Sequence, residues 1–306
     1  MEEKERQEYF STLKETPSQL REALAGVPKK LQQWTPAPGK WSIQQIVCHM
    51  RDMEKEAYLT RYKRILEEDN PSLPDLDGDT FALERGYQGL RLSEVLRDWK
   101  RSRKESITLL KKVKGAQWQR TGTHETDGPL TMEQLLHRHA VGNDRAHLGQ
   151  IHAIKRRWDI LSRLEGAPAE LAALTRDLSE DDLRRRPASG DWSIIETACH
   201  IRDVEQFYAE RFTKIAHLDR PRFWTMNNER LATARRYREA DLKSVLKEFR
   251  QGRSDTLTLL RALPHPIWQR VGIHAERGEM TFEQLATRLG GHDKRHLDEI
   301  RALKDR

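Results

Sequence analysis

Near the end of the chain, His292 and His296 stand four residues apart, a spacing that puts two imidazoles one turn apart on one face of an α-helix. The apolar residues around them keep the same phase. Phe282, Leu285, Leu289, His292, His296, Ile300 and Leu303 follow at steps of three or four. Both histidines thus continue a buried seam, where two imidazoles can reach one divalent metal ion. His200 lies on a second inward seam, after Thr197 and before Val204 and Phe207. Three imidazoles from two helices make an open site that leaves coordination positions for water or substrate. The same residues also suit a plainer reading, as hydrogen-bonded core histidines or as a surface pair on a helix of different phase.

These positions belong to the second copy of a repeat. Trp41-Ser42-Ile43 and Cys48-His49 return 151 positions later as Trp192-Ser193-Ile194 and Cys199-His200. Trp118-Gln119-Arg120 with Gly122 and His124, and Thr131-Met132-Glu133-Gln134-Leu135, return 150 positions later. A period of this length means duplicated domains, expected over 1–158 and 159–306 with a short connection that packs the two together.

The copies are not equivalent in their histidines. His49 and His147 match His200 and His296, but Asn143 stands where His292 stands. An amide oxygen is a poor ligand for borderline-soft metals. Leu135 and Leu285 are 150 apart, whereas His147 and His296 are 149 apart, so the first copy has one extra residue in this helix. A π-bulge or a change of phase must absorb it. His139, one turn before Asn143, could join His49 and His147 in a rearranged site. The alternative is a degenerate site whose half is kept for structure.

Each copy reads as four helices, an all-α fold. The first spans about 5–26 and 161–178. The second starts after Ser42 and Ser193, the third covers about 92–113 and 242–263, and the fourth starts after Thr131 and Thr281. Spacings of three and four dominate and strand-like alternation is absent. Stretches of about twenty residues between the second and third helices suit a crossover joining helices of like direction.

Other residues carry two readings each. His274, before a Gly-containing turn, is an acid–base candidate if that turn caps the bundle mouth, or else a histidine that holds the turn. Asp203 could orient His200 from behind or pair on the surface. Cys48 and Cys199 read as small buried hydrophobes, with a reactive thiol as the alternative. Trp192 and Trp268 read as packing anchors more than substrate platforms.

The 306 residues carry a net charge of +7, with 34% charged residues. Lys and Arg are interleaved with acids and form no uninterrupted basic stripe, which argues against nucleic acid. No apolar run spans a bilayer, and the charged start lacks a signal-peptide core, so a soluble cytoplasmic protein is expected.

In this order and spacing, Trp192-Ser193-Ile194, His200, the turn Trp268-Gln269-Arg270-Val271-Gly272-Ile273-His274 and His292-Asp293-Lys294-Arg295-His296 resemble the DinB-like (YfiT-like) superfamily. The resemblance covers both halves. It implies up-down-down-up four-helix bundles, usually dimeric, with zinc, nickel or iron on three histidines. Its characterised members include transferases for small thiols such as bacillithiol and mycothiol, and a thiol-dependent maleylpyruvate isomerase. The implied function is therefore a metal-dependent enzyme acting on a small molecule, either a thiol transferase with a low-molecular-weight thiol cosubstrate or a hydrolase. The alternative is a non-catalytic metal-binding or stress-response module. Two fused copies imply a monomer that is its own pseudo-dimer.

Overall fold

A computed structural model describes residues 2–305 and divides into two compact units, Met1–Arg156 and Arg157–Arg306. The division falls inside the helix Ala146–Thr175.

In the second unit the end of that helix is followed by three more long helices, Ile194–His217, Leu242–Ala262 and Phe282–Lys304. Specific contacts fix their directions. Cys199 lies beside the carbonyl of Tyr237, ahead of the third helix, and Glu205 further along pairs with Arg253 within it. The second and third helices therefore run the same way. Phe282 packs on Phe212 whereas the later His292 meets His200, so the fourth runs against the second. Gly290 backs onto Arg163 and Leu164, and Arg301 pairs with Glu170, so the first and fourth are parallel. The result is an up-down-down-up four-helix bundle.

Two parallel neighbours need a connection that returns the length of the bundle. Here it holds a short strand, Arg222–Phe223, and a helix, Asn228–Ala234. That strand pairs in parallel with Val271–His274, which forms a hairpin with Gly278–Thr281. The first unit has the same arrangement: Ser72–Leu73 pairs with Thr121–His124, which pairs with Gly128–Thr131. These small sheets correct the expectation of no strands. Each strand has at most four residues, too few for period-two alternation to stand out beside long helices. Gly272 is required because a side chain there would run into the Phe223 ring.

Caps set the register. Ser42, Thr131 and Thr281 each accept the backbone N–H three residues on. At Ser193, the Glu196 carboxylate takes up both the backbone N–H and the hydroxyl. Such caps contribute about 1 kcal/mol apiece.

In the first unit the second helix runs Ile43–Asp52, a π-helical segment Met53–Leu59, then Thr60–Glu67. The fourth runs Met132–His137, a π-helical segment Arg138–Arg145, then Ala146–Thr175. The repeat spacing explains both. Between Glu54/Glu205 and Arg61/Arg211 it falls from 151 to 150, and in the fourth helix from 150 to 149. Each extra residue is absorbed as one wide turn, while the matching helices of the second unit stay α-helical throughout.

A buried arginine ties the helices of each unit together. Arg253 bonds Glu205, Asp293 and the carbonyl of Leu164, and so joins all four helices. Arg103 does the same with Glu54, Asp144 and the carbonyl of Leu13. These groups fix the helices' rotation, because a turned helix would strand a charge in the core.

Candidate metal centre

The second helix of the second unit brings His200 against His292 and His296 of the fourth, with one ring nitrogen from each lying within 4.8 Å of the others. Ring centroids are 4.9 Å apart for His200–His292, 4.9 Å for His200–His296 and 4.4 Å for His292–His296. His200 and His296 are buried and His292 is partly exposed. Burial pushes His200 down to about 3, with His292 and His296 adding to the effect. Burial and His292 push His296 down to about 4. At neutral pH both rings are therefore uncharged, the form that ligates metals.

Two contacts fix the tautomer of His296. Its Nδ1 lies 2.6 Å from Glu299, a carboxylate that can only accept, so Nδ1 carries the proton. Its Nε2 accepts from the Arg295 guanidinium at 3.0 Å. The Nε2 atoms of His200 and His292 stand 2.9 Å apart, while the Nδ1 atoms of both are buried with no partner among the described residues. Metal–nitrogen bonds of about 2.0–2.1 Å in a tetrahedron put ligand nitrogens ~3.3 Å apart. His200 and His292 stand near this distance and the third ring nitrogen lies within 4.8 Å of them, so the three imidazoles fit a borderline cation such as Zn²⁺. Among the described residues no other group of three metal-ligating side chains converges in this way.

The sequence profile of the DinB superfamily matches residues 12–151 and again 163–300. The chain belongs to the DinB superfamily. It is also similar to the uncharacterized protein YuaE of Bacillus subtilis (strain 168), with 25% identity over 153 residues, 43% of this chain and 88% of that protein. Among solved structures it is similar to YfiT from Bacillus subtilis, described as a probable metal-dependent hydrolase with an unusual four-helix bundle topology. The identity there is 20%, covering 52% of this chain and 90% of that one, with a TM-score of 0.49.

In the first DinB domain His49 and His147 keep their pairing, with centroids 4.9 Å apart. Asn143 is buried and donates to Asp144. His139 does not join them, and the rearranged set His49, His139 and His147 is corrected. His139 stacks on Tyr58 with centroids 4.0 Å apart. Its Nδ1 meets the Tyr62 hydroxyl at 3.1 Å, and its Nε2 meets Glu54 at 2.8 Å and Arg103 at 3.0 Å. The wide turn that begins at Arg138 places this ring in the buried arginine cluster, where Leu289 stands 150 positions on.

Two further residues, each with two readings, stand away from the three imidazoles. Asp203 touches no ligand histidine: it accepts from Arg202, Arg235 and the Tyr237 hydroxyl. Asp52 likewise accepts from Arg51 and Tyr87 and pairs with Arg85, so this carboxylate has the same partners in both domains, with or without a third histidine. His274 ends a strand at the far end of the bundle. Its Nδ1 accepts the backbone N–H of Glu276, and its pKa is lowered by burial and by Arg211 and Arg277. Arg211 lies eleven residues beyond His200, about 16 Å along the helix. The turn that follows His274 therefore does not cap the site.

Cys48 and Cys199 are buried, and burial pushes each thiol up to about 12, so neither is a reactive thiolate. Trp268 is buried as a packing residue, whereas Trp192 packs edge-on against His200 at 5.0 Å and also lines a cavity. That cavity measures about 650 Å³ and is walled by Arg186, Asp191, Trp192, Glu229, Glu299 and Leu303, among others. The functional residue that sequence reading missed is Glu299. Its signal was present: a carboxylate three residues after His296 sits one turn further along the same face, where it can take the ligand's second N–H.

Proposed function

We propose that the second DinB domain is a divalent-metal-dependent hydrolase that attacks an ester or amide with water in the cleft beside His200, His292 and His296. The observation that carries this reading is the convergence of three imidazoles, two of them buried and uncharged, whose neighbours Trp192 and Glu299 line a cavity of about 650 Å³. A cation held by these rings would acidify a bound water, bringing its pKa from 15.7 toward about 7. The chain's own residues supply the rest. Glu299 holds the His296 proton on Nδ1 and so leaves the lone pair on Nε2, where Arg295 now donates and a cation would displace it. Its carboxylate also lines the cleft, within reach of a proton released there. Trp192 packs edge-on against His200 and lines the cleft.

Transfer of a small thiol is the second reading, supported by the three-histidine donor set, which would leave a bound cation a position able to stabilise a thiolate as well as a hydroxide. The test is metal analysis of purified protein together with turnover of nitrophenyl esters, anilides and thiol–electrophile pairs. About one metal ion per chain in the wild type, none in His292→Ala, and metal-dependent ester or amide cleavage are expected. Thiol transfer alone would select the second reading. Tight metal retention with no turnover on any substrate would leave a metal-binding module.

A further inference from the structure

We propose that the cleft of the second DinB domain receives an organic cation, a substrate carrying an alkylammonium group. The proposal deepens the hydrolase reading and rests on it for the chemistry, but the charge argument stands on the cleft alone.

The walls combine apolar surface from Trp192, Ala302 and Leu303 with three carboxylates, Asp191, Glu229 and Glu299. The one cationic side chain on the wall is already committed. Arg186 makes two hydrogen bonds to Glu196, at 2.9 and 2.5 Å, and that carboxylate is itself buried. Arg186 therefore has little charge left to offer an anion. An indole ring beside carboxylates is a favourable surface for an ammonium group, which gains from the ring's quadrupole as well as from the charges. The volume suits a small molecule.

The first domain shows what happens when this mouth is closed. There Asp79 accepts the indole N–H of Trp41 at 2.9 Å. Gly78 presses so close to the ligand-position histidine that a Cβ would lie 2.7 Å from Nδ1 of His49. The short helix Gly78–Glu84 thus seals over the ring. In the second domain the matching positions are Asn228 and Glu229. Asn228 has the Cβ that this approach excludes. Glu229 does not bond Trp192 and instead stands on the cavity wall, in the field of Arg186 but with no hydrogen bond to its carboxylate among the described residues. The carboxylate that is released from the tryptophan belongs to the domain that keeps all three histidines.

The test compares three ligands of one shape and different charge: benzylamine, benzyl alcohol and benzoate. Binding to the full-length protein is measured by calorimetry, with and without added zinc, at low and high salt. Benzylamine should bind about tenfold more tightly than benzoate at low salt, and the preference should shrink as salt screens the exposed carboxylates. Glu229→Gln should weaken benzylamine about threefold to fivefold and leave the metal content of the protein unchanged. Equal or tighter binding of benzoate, or a Glu229→Gln protein that binds benzylamine as before, overturns the proposal. Wild-type protein that holds no metal but keeps the charge order would defeat only the hydrolase reading. Protein that holds metal but lacks the charge order would defeat only this one.

Discussion

The Glu299 carboxylate accepts a hydrogen bond from Nδ1 of His296 at 2.6 Å, and so decides which ring nitrogen faces the metal position. At the matching place in the first domain Gln150 meets Nδ1 of His147 at 2.9 Å. An amide oxygen fixes the ring and raises its basicity only as a neutral acceptor can. A carboxylate behind a metal-bound imidazole does both with a negative charge, and losing it typically weakens metal affinity about 10–100-fold. Glu299→Gln should therefore lower zinc affinity by about tenfold in a chelator competition, while Asp203→Asn leaves affinity within about twofold and costs stability instead. Equal zinc affinity in wild type and Glu299→Gln would remove Glu299 from this role.

The low pKa values of the site histidines give a direction for acid stability. In the unfolded chain an imidazole titrates near 6.5, whereas burial holds His200 near about 3 and His49 and His296 near about 4. As pH falls from about 6.5 toward 4, the unfolded chain takes up protons that the folded chain refuses. The stability conferred by neutral burial is present above that window and is lost on acidification through it. Glu54 acts lower still. Burial pushes its carboxyl up, but Arg103 and His139 hold it well below the usual range, so its contribution persists until the more acidic end. Metal-free protein should lose on the order of a few kcal/mol between pH 7 and pH 4, read as a falling urea midpoint. A midpoint that is flat or rises over this range would contradict the burial of neutral rings.

What the sequence could and could not reveal follows from how local each signal is. The convergence of His200, His292 and His296 is written in helical phase, because a seam of apolar residues states which way each ring points. The fold followed from the same periodicity and the repeat. His139 misled because the phase of a π-helical turn cannot be read by counting in steps of three and four, and the ring turned into a polar cluster instead of the metal face. The second π-helix, Met53–Leu59, was visible only as a change of repeat spacing between Glu54 and Arg61. Asp203 and His274 depend on tertiary neighbours, Tyr237 and the short sheet, that no local pattern encodes. The cleft over Trp192 depends on whether position 78 or its counterpart 228 is a glycine, a difference whose meaning appears only in three dimensions.

The buried arginine clusters lead to a stability prediction. Arg253 is almost fully buried and holds Glu205 and Asp293, whose outer oxygens Oε1 and Oδ1 have no hydrogen-bond partner among the described residues. Removing the cation would leave two carboxylates uncompensated in the core. Arg253→Ala should cost about 3–5 kcal/mol, or leave the protein unfolded, as measured by urea denaturation. Arg253→Lys should recover only part of this, since one ammonium cannot reproduce the guanidinium's bonds to Glu205, Asp293 and the Leu164 carbonyl at once. A loss below about 1 kcal/mol for the alanine variant would show that the cluster does not govern helix rotation.

The first domain offers the sharpest test of the metal reading, because it lacks one ligand and keeps the frame around it. Asp144 bonds Arg103 as Asp293 bonds Arg253, so the residue before each aspartate, Asn143 or His292, holds the same place relative to the buried arginine. His49 and His147 already stand at the spacing of His200 and His296, 4.9 Å between centroids in both pairs. Burial keeps His49 neutral, with a pKa of about 4, as a ligand requires. Asn143→His should therefore raise the metal content from about one ion per chain to about two. Combined with His292→Ala it should leave about one, now lost on a further His49→Ala change. The affinity of the new site should be lower than that of the natural one, because Gln150 stands where Glu299 stands, and adding Gln150→Glu should recover about tenfold. Metal content that stays at about one in Asn143→His would mean that the wide turn Arg138–Arg145 has rotated position 143 off the shared face, and that the spacing of two rings alone does not make a site.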